Sequence, residues 1–165
     1  MKRKLLSLAT VAALFFISSC GSNEKQSDGS TETSQSALSE EPADDGQGIG
    51  KFKNISLADI DENLAGQGKV IFEAKCSACH KTTSQKVVGP GLLGVTEKRQ
   101  PAWIMNMITN PVEMTQKDPA AKELLAEHLT QMTFQDVSDD QAKQLLEYLR
   151  QNDHEAKEGK EEAKK

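Results

Sequence analysis

Five consecutive residues, Cys76-Ser77-Ala78-Cys79-His80, hold the most specific chemistry in this chain of 165 residues. Two thiols three residues apart project from one helical turn in similar directions. Each can form a thioether with a haem vinyl group, and the histidine that follows can reach the iron as an axial ligand. C-x-x-C-H is the spacing of covalent haem attachment. Three other readings compete. A disulfide oxidoreductase also uses C-x-x-C, but opens a helix with it inside a βαβ unit, whereas here the motif closes a helical stretch. A zinc site needs further ligands, and beyond His80 the chain offers only His128 and His154. A chance match suits an exported chain poorly. The three cysteines are accounted for, with Cys20 in a terminal processing signal and Cys76 and Cys79 on the haem. None is left for a structural disulfide. One haem, covalently bound, is the expected cofactor.

The second axial ligand must come from downstream, and its identity decides the chemistry. Methionine closes the sixth position and raises the reduction potential, as an electron carrier requires. Met105 and Met107 sit in an apolar helical stretch and suit packing. Met132 lies in the polar loop Gln131-Met132-Thr133-Phe134, just before the final helix, from which it can approach the opposite haem face. Met114 is its rival, and His128 would give a lower-potential pair of histidines.

These residues need elements to hold them. Leu64, Gly68, Ile71, Phe72 and Lys75 recur three or four apart, which predicts a helix over about 61–75 that delivers Cys76. Pro101 can open a second helix carrying Trp103, Ile104, Met107 and Ile108. Asp118-Pro119 reads as an N-cap and first-position proline opening a third, to about Leu129. Ser138-Asp139-Asp140-Gln141 is a capping box, with Ala142, Leu145, Leu146 and Leu149 as the apolar face of a fourth. No stretch alternates convincingly as a strand, so the class is all-α.

The flanks differ in kind. Lys2-Arg3-Lys4, an apolar run from Leu5 to Ile17 and then Ser18-Ser19 have the layout of an export signal; the apolar run is short for a membrane span. Ile17-Ser18-Ser19-Cys20 resembles a bacterial lipobox, which implies cleavage before Cys20 and acylation of its thiol. Export places Cys76 and Cys79 in an oxidising compartment. Residues 20–50 are acidic and poor in large apolar side chains, as expected of a disordered linker; some thirty such residues would span about 30 Å. Residues 51–150 hold thirteen acids and twelve bases and form the expected domain. Residues 151–165 mix Lys and Glu and read as a helix continuation or charged tail. The net charge of −5 becomes −8 once residues 1–19 and their +3 are lost. Neither value suits a nucleic-acid binder. With only seven aromatic residues, a body this small needs help to complete its core.

Residues 62–149 resemble a class I mono-haem cytochrome c. Gly68-x-x-x-Phe72 is similar to the family's N-terminal helix, which crosses the C-terminal helix and implies contact of Phe72 with Tyr148 or Leu149. Gly89-Pro90-Gly91-Leu92 resembles the loop whose proline carbonyl accepts a hydrogen bond from the proximal histidine. Pro90 would then orient His80, and Leu92 would touch the haem. The family's distal methionine falls on Met132. Where the family often has Met-Pro, this chain has Met132-Thr133, which makes the loop less rigid. Trp103 resembles an aromatic packed near the haem edge or its propionates, with plain core packing as the other role. The segment from Pro101 to Leu125 is also similar to small lipoprotein cytochromes that accompany nitrous oxide reductases. The resemblance implies a non-enzymatic electron carrier, lipid-anchored outside the cytoplasmic membrane. Its partners would be respiratory redox proteins, with a nitrous oxide reductase as the narrower expectation. The rival function is a haem sensor or peroxidase-like enzyme with an open distal site and His128 as its acid–base residue.

Overall fold

The computed structural model describes residues 45–162, with side chains to residue 159. The expected export signal, Cys20 and the expected linker as far as residue 44 lie outside the described residues. Six helices and no strand occur among the described residues: α1 (Glu62–Lys75), α2 (Val95–Lys98), α3 (Pro101–Thr109), α4 (Pro111–Lys117), α5 (Pro119–His128) and α6 (Asp139–Glu162). Asp61 caps α1 by accepting from the amides of Asn63 and Leu64. Three helices begin with proline, which needs no amide partner in the first turn. Asp118 caps α5 by accepting from Ala121 N–H at 2.8 Å. The expected capping box opens α6: Ser138 N–H donates to Gln141 Oε1 at 3.0 Å, and Gln141 N–H donates to Ser138 Oγ at 3.3 Å. The short helices α2 and α4 were not signalled by periodicity, since one or two turns carry too little of it.

The scaffold is the crossing of α1 and α6. Gly68 is buried at the crossing and lies against the backbone of Gln144. Phe72 packs on Tyr148, with ring centroids 5.5 Å apart and planes tilted by 55°. Ala65 and Phe72 from α1 join Leu145, Leu146 and Leu149 from α6 in the buried core. Glu147 ties the approach to α1 down, accepting from Asp61 N–H at 3.2 Å and pairing with Arg150 at 2.7 Å. Arg150 in turn donates to Ala58 O at 2.7 Å.

The structure adds detail at both ends of the body. The folded body begins by residue 45, because Asn106 inside α3 holds the segment in place. Its carboxamide accepts from Phe52 N–H at 3.0 Å and donates to Phe52 O at 3.0 Å and Gln47 O at 2.9 Å. Residues 151–162 continue α6. This stretch carries a buried carboxylate, Asp153, that accepts from Gly94 N–H at 2.6 Å, Thr96 N–H at 3.0 Å and Thr96 Oγ1 at 2.6 Å. Beside it, Asn152 donates to Thr82 O at 3.0 Å.

A Cβ at position 68 would overlap the Gln144 carbonyl oxygen and stand 2.9 Å from Tyr148 Cβ. Gly68→Ala is therefore expected to force the crossing apart. It should cost at least the ~1–3 kcal/mol typical of overpacking, despite alanine's better helix propensity. Chemical denaturation of the haem-loaded protein checks this, and an unchanged midpoint would refute the close-approach account.

Candidate functional site

A cleft of ≈ 580 Å³ lies between the end of α1, the loop after it, helices α3 and α5, and the loop before α6. Its size is in the range of cofactor sites, ~300–1,000 Å³. Cys76, Cys79, His80, Pro90, Leu92 and Met132 all line it, as does Trp103. Residues more than fifty positions apart in sequence are thus brought to one cavity.

One part of the lining is built by the end of α1. Cys76 is its C-cap, with its N–H on Phe72 O, and the chain turns through Cys79 and His80, whose amides both bond back to Cys76 O. His80 Nδ1 lies 2.9 Å from Pro90 O, so that nitrogen carries the proton and donates. Nε2 is then left with its lone pair, as a metal ligand requires. The loop closes on the motif through Gly89 N–H to Cys79 O at 2.9 Å and Leu92 N–H to Lys81 O at 2.8 Å. Gly89 packs against the imidazole: a Cβ there would come within 2.5 Å of His80 Cε1. Gly91 is pressed equally closely on the backbone of Thr83 and Ser84. Burial pushes the Cys76 thiol above its ordinary value against the opposing pull of Lys75. As a free thiol it is protonated at neutral pH, which does not suit a disulfide-exchange nucleophile.

Met132 lines the same cleft. Its loop has no helix, but it is held at several points. Thr115 in α4 donates to Gln131 Oε1 at 2.9 Å, and Gln131 Nε2 donates to Met132 O at 2.9 Å. Lys75, immediately before Cys76, donates to Gln135 O at 3.0 Å and Asp136 O at 2.8 Å. These bonds supply restraint that a proline after Met132 would otherwise give. Met114 is placed elsewhere: it is fully buried, and its Sδ accepts from Ile49 N–H at 3.0 Å. Met105 is fully buried in the core, while Met107 lines the cleft.

Trp103 is 5% exposed, and its indole N–H donates to Asp118 Oδ1 at 2.9 Å, with the Arg99 guanidinium 4.9 Å from the ring centre. Its donor is thus already used within the protein, which favours packing over the propionate role. Met107, Ile108, Leu124 and Leu125 supply apolar wall that the sequence reading had not singled out as site residues. Their helical spacing marked an apolar face, but a face on the core and a face on a cofactor have the same period.

The donor set fits haem: two thiols, an imidazole whose Nδ1 is held by Pro90 O, a thioether and apolar side chains line one cleft. No group of three or more His, Cys, Asp or Glu suited to a metal ion occurs among the described residues.

Comparison with known proteins agrees. The family profile for cytochrome c matches residues 65–153. A solved cytochrome c from Rhodothermus marinus is 41% identical, with a TM-score of 0.63, covering 67% of this chain and 95% of that one. An engineered form of that protein, bound to a carbene intermediate, is 40% identical with a TM-score of 0.60, covering 66% of this chain and 95% of that one. A cytochrome c-553-like protein of Synechocystis is 31% identical over 62 residues, which cover 36% of this chain and 59% of that relative's length.

Two outcomes follow from the site geometry. Gly89→Ala should displace the His80 ring from Pro90 and lower the yield of haem-loaded protein several-fold, measured by the haem-to-protein absorbance ratio. Lys75→Met should release the loop carbonyls of Gln135 and Asp136 and speed amide exchange across residues 131–137, with α6 unchanged. Equal exchange rates would show that Lys75 does not hold the loop.

Proposed function

The chain belongs to the cytochrome c family, and on that premise we propose that it is a lipid-anchored single-haem electron carrier working outside the cytoplasmic membrane. The bound haem c supplies a one-electron Fe(III)/Fe(II) couple. The rest of the reading concerns what this chain's side chains do around it. Cys76 and Cys79 fix the haem by thioethers. His80 would offer Nε2 to the iron, and Pro90 O accepts from Nδ1–H and so holds the ring in the orientation and tautomer this needs. Met132 would offer its thioether to the iron from its hydrogen-bonded loop. The half-buried apolar wall keeps water from the iron and favours the less charged reduced state, which with methionine ligation sets a potential suited to transfer rather than oxygen chemistry.

The observation that carries the reading is the convergence of His80 and Met132 on one cleft, while Met114 is spent on Ile49. The lipid anchor rests on Ile17-Ser18-Ser19-Cys20 and the basic and apolar segments before it. Among the described residues no helix is long and apolar enough to cross a membrane. The near balance of charge across residues 51–150 argues against a strong single-sign steering field. Docking is then expected to be apolar and transient, around the exposed Val87, Val88 and Phe134. A nitrous oxide reductase as the electron acceptor rests on the 101–125 segment alone. Oxidation of the reduced protein by that enzyme in stopped flow tests it, and no transfer would remove this partner.

Met132→Ala is the decisive variant. The wild type should show the weak near-infrared methionine–iron band when oxidised and bind carbon monoxide slowly when reduced. The variant should lose the band, bind carbon monoxide rapidly and have a lower reduction potential. If the wild type itself is high-spin and binds carbon monoxide rapidly, the iron is open, and sensing or peroxidase-like chemistry replaces electron carriage.

A further inference from the structure

Asp153 is a carboxylate on α6 that is 4% exposed, yet it does not line the cleft and has no part in the chemistry given above. Its two oxygens accept from Gly94 N–H at 2.6 Å, Thr96 N–H at 3.0 Å and Thr96 Oγ1 at 2.6 Å. Gly94 is the N-cap of α2 and has no side chain to satisfy that helix's first amides. Asp153 supplies the missing acceptor from another helix. One residue earlier, Asn152 donates to Thr82 O at 3.0 Å, at the opposite end of the same loop.

Between these two holds lies the support of the proximal ligand, for Pro90 O accepts from His80 Nδ1–H at 2.9 Å. Inside the loop, Gly89 N–H donates to Cys79 O, Leu92 N–H to Lys81 O and Leu93 N–H to Thr83 O. These bonds close the loop on itself and on the haem-attachment motif, but they do not fasten it to the body. Among the described residues the polar fastening comes from α6, through Asn152, Asp153 and an exposed ion pair of Lys157 with Glu97 at 2.9 Å. Leu92 and Val95 also pack on the core, but apolar burial is non-directional and leaves the register of the loop unset.

We propose that Asp153, assisted by Asn152, is a positioning residue for His80: the clamp sets where the loop stands on α6 and thereby keeps Pro90 O on the imidazole. The inference rests on the axial role given to His80 above. The same helix governs the covalent attachment, since Gln144, nine residues before Asp153, meets Gly68 of α1, the helix capped by Cys76. α6 is then the common reference for the first thioether cysteine and for the axial imidazole. Hydrogen bonds to a carboxylate are stronger than neutral ones. Its removal leaves the donors of Gly94 and Thr96 unpaired, so that end of the loop gains by moving into water.

The test uses the haem-loaded full chain, isotope-labelled and reduced, and follows by nuclear magnetic resonance the solvent exchange of the His80 Nδ1 proton and the Gly89 and Leu92 amides. Asp153→Ala should speed all three on the order of tenfold or more, and Asn152→Ala should act in the same direction by less. Asp153→Asn keeps one acceptor oxygen, should fall between wild type and Asp153→Ala, and stands in if the alanine variant does not mature. Phe52→Leu is the control for stability loss as such, because Phe52 is buried and bonded to Asn106 of α3 rather than to the loop. It should lower the denaturation midpoint without speeding exchange at His80. Unchanged exchange in both Asp153 variants overturns the proposal. So does equal acceleration by Phe52→Leu at a matched midpoint, since Asp153 would then act on global stability alone. Wild-type His80 ring protons that lack the haem ring-current shift refute the axial role itself, whereas shifted ring protons with unchanged exchange refute only the clamp.

Discussion

Everything in this fold depends on how closely α1 can approach α6. The crossing is set at Gly68, where the absence of a side chain lets the backbone of Gln144 come into contact. One turn later Phe72 meets Tyr148, and one turn after that the helix ends in Cys76. The position of the first thioether cysteine is therefore a rigid consequence of the crossing rather than of a loop. Since a helix advances about 1.5 Å per residue, a shift at Gly68 is carried undiminished to Cys76 over only eight positions. Cytochrome c chemistry needs this rigidity, because the cysteines and His80 must meet three fixed points of one planar group.

The haem-attachment motif and the Met132 loop are not independent. Lys75 belongs to the last turn of α1, yet its ammonium group is bonded to the carbonyls of Gln135 and Asp136 in the loop that carries Met132. Its neighbour Cys76 lines the cleft. One residue therefore couples the covalent attachment point to the distal loop across a separation of about sixty positions. Thr115 adds a second restraint from α4, through Gln131. A thioether is a weak iron ligand, so tying down the backbone that carries Met132 would lower the entropy cost of the ligation proposed for it.

The sequence made the proximal side legible because its chemistry is contiguous. Cys76-Ser77-Ala78-Cys79-His80 needs no tertiary knowledge, and the spacing of Gly68, Phe72 and Leu145 declared the two long helices. Capping signals placed the starts of α5 and α6 well, since Asp118 and Ser138 act locally on the next turn. The distal side was only half legible. Choosing between Met132 and Met114 requires knowing that Ile49, 65 positions away, donates to the Met114 sulfur, and no local pattern encodes that contact. Trp103 posed the same problem: its type announced an aromatic with a polar handle, but the partner, Asp118, was read only as a helix cap, whereas the structure gives its carboxylate both roles.

The ends of the body show why composition misleads about boundaries. Residues 45–50 hold three glycines, one acid and a single large apolar residue, a composition suited to a linker, yet Gln47, Gly48 and Ile49 lie against α3 and α4. Glycine allows that approach, for a Cβ at Gly48 would stand 2.7 Å from Met114 Cε and 3.1 Å from Trp103 Cδ1. At the other end, a mixed-charge helix hides Asp153, whose carboxylate gathers two amides and a hydroxyl from residues 94–96, while Asn152 holds Thr82. The segment between Thr82 and Thr96 contains Pro90, the residue that orients His80. The C-terminal extension thus fastens both ends of the loop on which the proximal ligand depends. In a body with so few aromatics, one well-satisfied buried carboxylate can order a loop that apolar burial alone would leave free to move.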